Sequence, residues 1–166
     1  MDRLYSPWRS RYIATFKDEK KDEDGSLFTR IADQKNDAKN FVLARRKHCF
    51  VMMNLYPYNS GHLMIIPYKQ TADLAELTAD EQLEIMQTIT EMIGLLKQTL
   101  KPHGFNVGAN LGRVAGAGID NHIHFHIVPR WNGDMNFMPT IADTKVVSEA
   151  MNDTYRKLKR NLKKKK

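Results

Sequence analysis

Residues 122–129 read His-Ile-His-Phe-His-Ile-Val-Pro, an alternation of polar and apolar side chains that only an extended backbone sorts cleanly. In a strand, side chains alternate between faces with a rise of about 3.3 Å per residue, so His122, His124 and His126 share one face about 6.6 Å apart. Ile123, Phe125 and Ile127 then fill the core behind them. A strand is predicted over His122–Val128, stopped by Pro129. Three imidazoles on an exposed face carry chemistry, because a neutral imidazole is a nucleophile and a metal ligand and its protonated form is an acid near pH 7. Two readings follow. Histidines two apart on a strand could ligate zinc in an open hydrolytic site. Alternatively, the loop Gly112-Arg113-Val114-Ala115-Gly116-Ala117-Gly118 could turn backbone N–H groups on a phosphate beside the strand.

Elsewhere the pattern predicts strands over Phe41–Ala44, Cys49–Met53, His62–Ile66 and Phe105–Leu111. Between the second and third lies Asn54-Leu55-Tyr56-Pro57-Tyr58-Asn59-Ser60-Gly61, rich in turn formers. Thr78-Ala79-Asp80-Glu81 is a capping box, and Leu83, Met86, Ile89, Ile93, Leu96 and Leu100 continue it as a helical stripe ended by Pro102 and Gly104. Ser6-Pro7-Trp8 reads as an earlier helix start, residues 17–24 as a solvated charged connector, and Ser148 as the cap of a last helix. The order points to an α+β fold, an antiparallel sheet with a long helix packed on it. The chain divides into a helix and connector over residues 1–40, a catalytic domain over 41–140, and a C-terminal helix with a basic tail over 141–166.

At 166 residues the chain suits one domain. No apolar stretch approaches the roughly 18 residues of a spanning helix, and the first residues lack a signal-peptide core, so a cytoplasmic protein with no membrane partner is expected. Cys49, the single cysteine, sits in the apolar run His-Cys-Phe-Val-Met-Met and reads as a buried hydrophobe. The net charge of +7 is concentrated in Arg156, Lys157, Lys159, Arg160 and Lys163 to Lys166. Such a tail could attract RNA; a solvated, frayed helix end is the plainer expectation.

The segment His-Ile-His-Phe-His-Ile-Val resembles the signature of the histidine triad (HIT) proteins, nucleotide hydrolases and transferases. The likeness to the family extends through residues 54–63, and Gly104-Phe105-Asn106-Val107-Gly108, Asn110-Leu111-Gly112 and Pro129-Arg130-Trp131 are similar to the branch containing diadenosine tetraphosphate phosphorylases. It runs from about Asn40 to Asn136. The resemblance implies a HIT-like homodimer acting on a purine nucleotide or dinucleoside polyphosphate. His124 would attack the α-phosphate and form a nucleotidyl-histidine intermediate; His126 and the glycine loop would hold phosphate oxygens; His122 and His62 would orient the ring or assist proton transfer. By the same resemblance Asn54 lies at the ribose, Asn110 and Gly118 near phosphate, Leu43 and Phe50 beside the base, and Trp131 near the nucleotide. No tightly bound cofactor is implied, although a divalent cation could accompany the substrate. Relatives often hold a structural zinc through a Cys-x-x-Cys pair and a later histidine, and the matching positions here are Ser26, Thr29 and Gln70, so that metal is expected to be absent. Gly118 stands where relatives often carry glutamine or serine, which leaves water and phosphate open as acceptors. The alternative is a nucleotide-binding interaction protein with an RNA-docking tail and slow residual hydrolysis.

Overall fold

The computed structural model describes residues 25–34, 36–134 and 149–164; the helix start at Ser6, the connector over 17–24 and the cap at Ser148 lie outside them. Strands β1 (Val42–Arg45), β2 (Cys49–Met53), β3 (Leu63–Pro67), β4 (Gly104–Ala109) and β5 (Phe125–Arg130) form one sheet in the order β1-β2-β3-β5-β4. All its pairings are antiparallel. Helices α1 (Leu27–Gln34), α2 (Ala79–Leu100) and α3 (Met151–Lys164) complete the α+β architecture.

Both faces of the sheet are covered, which explains the unbroken apolar runs of β2 and β3. On one face Val51, Met53, Leu63, Ile65 and Ile127 pack with Ile85, Ile89, Met92 and Leu96 of α2 and Leu158 of α3. On the other, Phe50, Met52, Met64 and Ile66 lie under Phe28 and Ile31 of α1. Cys49 is fully buried, and burial pushes its thiol up to about 11, so it behaves as the hydrophobe expected.

Three sequence expectations shift. The capping box forms, with Thr78 Oγ1 accepting from the Glu81 amide and Glu81 accepting from the Thr78 amide, but the buried stripe of α2 is rotated. Ile85, Thr88, Ile89, Met92, Leu95 and Leu96 face inward, while Leu83 and Met86 are 57% and 58% exposed. A helix with apolar residues on more than one side leaves docking to choose the face. Pro129 does not stop β5; it pairs with Phe105 inside the strand. Pairing with β3 reaches no further than Ile127, and the Pro129 carbonyl accepts from Asn59 Nδ2, so the missing N–H falls where β3 has already ended. Finally, the basic helix is docked rather than frayed through Lys164. Leu158 is fully buried, Tyr155 Oη donates to the Val42 carbonyl at 3.0 Å, and Lys159 Nζ donates to the Val42 and Leu43 carbonyls at 3.1 and 2.8 Å. Arg156, Lys157, Arg160, Lys163 and Lys164 remain exposed. Among the described residues no helix is long and apolar enough to cross a membrane.

Candidate active site

The β2–β3 connection places the first histidine. Asn54 Oδ1 accepts from the Tyr56 amide at 3.0 Å, the local bond that makes asparagine a turn former, and Gly61 closes the turn at φ +74°. A Cβ at Gly61 would also meet the tip of the Leu100 side chain, which would have to shift, so the positive φ is the main reason for glycine. His62 emerges fully buried on the same face as Met64, and Met64 pairs with His126 across the β3–β5 ladder. The result is a direct contact, His62 Nε2 to His126 Nδ1 at 2.9 Å.

Backbone groups at both ends of the cluster decide where each ring carries its proton. The Tyr58 amide can only donate, and it meets His62 Nδ1 at 3.0 Å, with Asn54 Nδ2 at 3.4 Å from the same nitrogen. His62 therefore carries its proton on Nε2 and donates it to His126 Nδ1, which leaves the proton of a neutral His126 on Nε2. The opposite holds for His124. Its Nδ1 lies 2.9 Å from the His122 carbonyl, which can only accept, so the proton sits on Nδ1 and Nε2 keeps a lone pair. The rings of His124 and His126 stand 4.9 Å apart at 76°, neighbours with opposite protonation: one offers a nucleophilic nitrogen, the other an N–H donor.

Sequence reasoning placed the three histidines on an exposed face, and the structure buries them. The cover is α1, an element the sequence reading left out. Phe28 packs its ring 5.5 Å from that of His122 and 5.0 Å from that of His124. Burial lowers the pKa of both His122 and His124, against the raising effect of their bonds to the Pro67 and His122 carbonyls. Both imidazoles are held neutral near pH 7, the state in which His124 Nε2 is a nucleophile. His122 and His124 also precede the regular strand, since β5 begins at Phe125. They are held outside the ladder, by the Ile123 amide donating to the Thr71 carbonyl at 2.7 Å and His122 Nε2 donating to the Pro67 carbonyl at 2.9 Å.

The remaining expected site residues are dispersed. Asn54 stands against His62, its side chain engaged by the turn. Asn110 Nδ2 donates to the Gly116 carbonyl at 3.4 Å and ties the glycine loop, where Gly118 is half-buried. The amides of Ala115, Gly116 and Ala117 turn back onto the Gly112 and Arg113 carbonyls, so these three do not make the expected phosphate cradle. Leu43 belongs to the core under α2 and α3, on the far side of the sheet from His126. Phe50 shares the histidine face but is fully buried beneath α1 and stacked on Tyr68, their ring centroids 5.6 Å apart. Trp131 follows β5, five residues and about 16 Å of extended chain beyond His126.

Ser26, Thr29 and Gln70 do converge, and they converge on His122. Two hydroxyls, an amide oxygen and one imidazole do not fit zinc, which takes thiolate, imidazole or carboxylate ligands. Among the described residues no group of three or more His, Cys, Asp or Glu could hold a metal ion.

The comparisons agree with this geometry. The HIT domain family model matches residues 35–133. AP-4-A phosphorylase of Mycobacterium tuberculosis is 42% identical over 163 residues, covering 95% of this chain and 83% of that protein. Bis(5'-adenosyl)-triphosphatase of Saccharomyces cerevisiae is 31% identical over 91 residues, 54% of this chain and 44% of that one. The crystal structure of a Zn-bound histidine triad family protein from Mycobacterium smegmatis superposes with a TM-score of 0.66 at 22% identity, covering 83% of this chain and 93% of that one. An antiparallel five-stranded sheet, four buried histidines at and just ahead of its β3–β5 seam and a family match across the whole of that region lead to one assignment: the chain belongs to the HIT domain family, in the branch that includes the M. tuberculosis phosphorylase.

Proposed function

We propose that the protein cleaves a phosphoanhydride bond of a dinucleoside polyphosphate through a nucleotidyl-His124 intermediate. The observation that carries this reading is the set of hydrogen bonds that assigns opposite tautomers to two neighbouring rings, the Tyr58 amide to His62 to His126 Nδ1 on one side and His124 Nδ1 to the His122 carbonyl on the other. His124 Nε2 attacks the α-phosphorus; a P–N bond forms and the P–O bond to the remaining polyphosphate breaks, its electrons leaving with the bridging oxygen. His126 Nε2–H donates to the phosphoryl oxygens as charge spreads over them. A second acceptor then takes the nucleotide and restores the neutral imidazole. Purine nucleotides are the expected substrates, with a divalent cation screening the polyphosphate.

The 42% identity to AP-4-A phosphorylase makes diadenosine tetraphosphate the first substrate to test. Purified protein is incubated with it, with and without inorganic phosphate, and products are separated chromatographically. ADP plus ATP only with phosphate identifies phosphate as acceptor; AMP plus ATP in either buffer identifies water, with Gly118 the first position to examine. No cleavage in either buffer refutes the reading.

Two partners belong to the same proposal. The outer edge of β4 pairs with no strand among the described residues, and Val107 on it is exposed, which supports a homodimer formed edge to edge. The exposed cations of α3 support docking of a polyanion such as RNA as a second reading. Because α3 is packed, truncation after Tyr155 would damage the core. Glutamine at Arg156, Lys157, Arg160 and Lys163 is the cleaner test, and RNA retention unaffected by those changes removes the second reading.

A further inference from the structure

His124 sits on backbone that the sheet does not hold, since β5 begins at Phe125. What fixes it begins at Ser26, just ahead of α1 and 96 residues away in sequence from His122. Ser26 Oγ lies 2.5 Å from His122 Nδ1. His122 Nε2–H is already given to the Pro67 carbonyl, so Nδ1 has only a lone pair and the Ser26 hydroxyl is the donor. Around it, Ser26 Oγ accepts from the Thr29 amide at 3.2 Å, and Gln70 Oε1 accepts from the Ser26 amide at 2.9 Å and from Thr29 Oγ1 at 3.1 Å. The Ser26 amide, hydroxyl proton and one oxygen lone pair are thus engaged, inside a site where Ser26 is buried.

We propose that Ser26 is a positioning residue for the nucleophile. It grips one nitrogen of His122 while Pro67 grips the other, and the ring so clamped sets the His122 carbonyl that keeps the His124 proton on Nδ1 and the lone pair on Nε2. Hydrogen bonds from Thr29 and Gln70 hold the Ser26 end, at positions whose chemistry does not suit a metal. In this arrangement His122 acts through its anchoring and its carbonyl, while His124 is the residue that touches phosphorus. The inference rests on the reading of His124 as nucleophile.

The test uses the full chain. Histidine ring 15N resonances report tautomer and hydrogen bonding, and kcat and KM are measured with diadenosine tetraphosphate for wild type, Ser26→Ala and Ser26→Thr. The wild type is expected to carry the His122 proton on Nε2, with the Nδ1 resonance of a hydrogen-bonded imine nitrogen. In Ser26→Ala that resonance moves toward an unbonded nitrogen and kcat falls about tenfold with KM unchanged, the size of one lost buried hydrogen bond. Ser26→Thr, which keeps the hydroxyl, restores both. A His122 proton found on Nδ1 in the wild type overturns the proposal without any variant having to fold. Full kcat in folded Ser26→Ala overturns it as well. Absence of nucleotide release from a wild type that shows the expected ring signature would instead remove the catalytic reading and leave the anchoring of His122 standing.

Discussion

Replacing His62 separates the two jobs its ring performs. Nδ1 accepts from the Tyr58 amide and Nε2–H donates to His126 Nδ1, each bond 3.0 Å or shorter. Only the second sets the proton of His126 on the nitrogen that serves phosphate. Glutamine reaches far enough for its amide N–H to replace the imidazole Nε2–H; asparagine is shorter and its oxygen can replace only Nδ1. His62→Gln should therefore keep the His126 donor and His62→Asn should lose it. A hydrogen bond to charge developing in the transition state contributes about 1.5–3 kcal/mol, so its loss corresponds to roughly 10- to 150-fold in kcat. The expected order is wild type, then glutamine, then asparagine one to two decades lower. Alanine should be the least stable, because it also empties a fully buried site. The assay is steady-state release of nucleotide from diadenosine tetraphosphate at neutral pH, with thermal melting of each variant alongside. An asparagine variant as active as the glutamine one would refute the argument, since it would mean that the His62–His126 bond does not control the donor.

His124→Ala is expected to abolish nucleotide release while His122→Ala only slows it, and turnover by the first at the wild-type rate sinks the covalent route. Gly61→Ala, which meets both a positive φ and the Leu100 side chain, should cost about 1–3 kcal/mol in denaturant unfolding, and an unchanged midpoint would contradict the geometry. The Arg130 guanidinium, with the Trp131 amide and Asn59, holds the Asp134 carboxyl down at about 2. Its unfolded value is about 3.9, so the clasp stabilises fully above about pH 4 and is lost as pH falls through about 2. The stability gap between wild type and Asp134→Asn should accordingly narrow between pH 5 and pH 2, and a constant gap would remove Asp134 as the group responsible.

The grouping of the three histidines was legible from their alternation, although the regular strand begins only at Phe125 and the face is buried, and the capping box at Thr78 was legible because its two bonds are local. What covers a face is not local. α1 has eight residues, too few for its periodicity to announce a helix, yet its Phe28 packs on His122 and His124 and adds to the burial that lowers their pKa. Leu43 shows a second reason. A register irregularity between Val42 and Ala44 breaks the alternation in β1, so counting along the chain assigns Leu43 to no face until the partner strand is known. Ser26, Thr29 and Gln70 could be aligned by position from the family resemblance, but the bonds of Ser26 to Gln70 and to His122 span 44 and 96 residues and appear only in the folded chain.

The contacts of Tyr155 and Lys159 with the Val42 and Leu43 carbonyls also bear on the homodimer proposed above. β1 is an end of the sheet, and α3 takes up the Val42 and Leu43 carbonyls there, leaving them less able to bond a visiting strand. β4, the other end, has no such guard among the described residues. If two copies joined through β4, each would be left with its β1 margin, where α3 already holds two backbone acceptors. On the proposed β4-to-β4 homodimer, the helix that carries the basic charge would also disfavour further growth by strand addition.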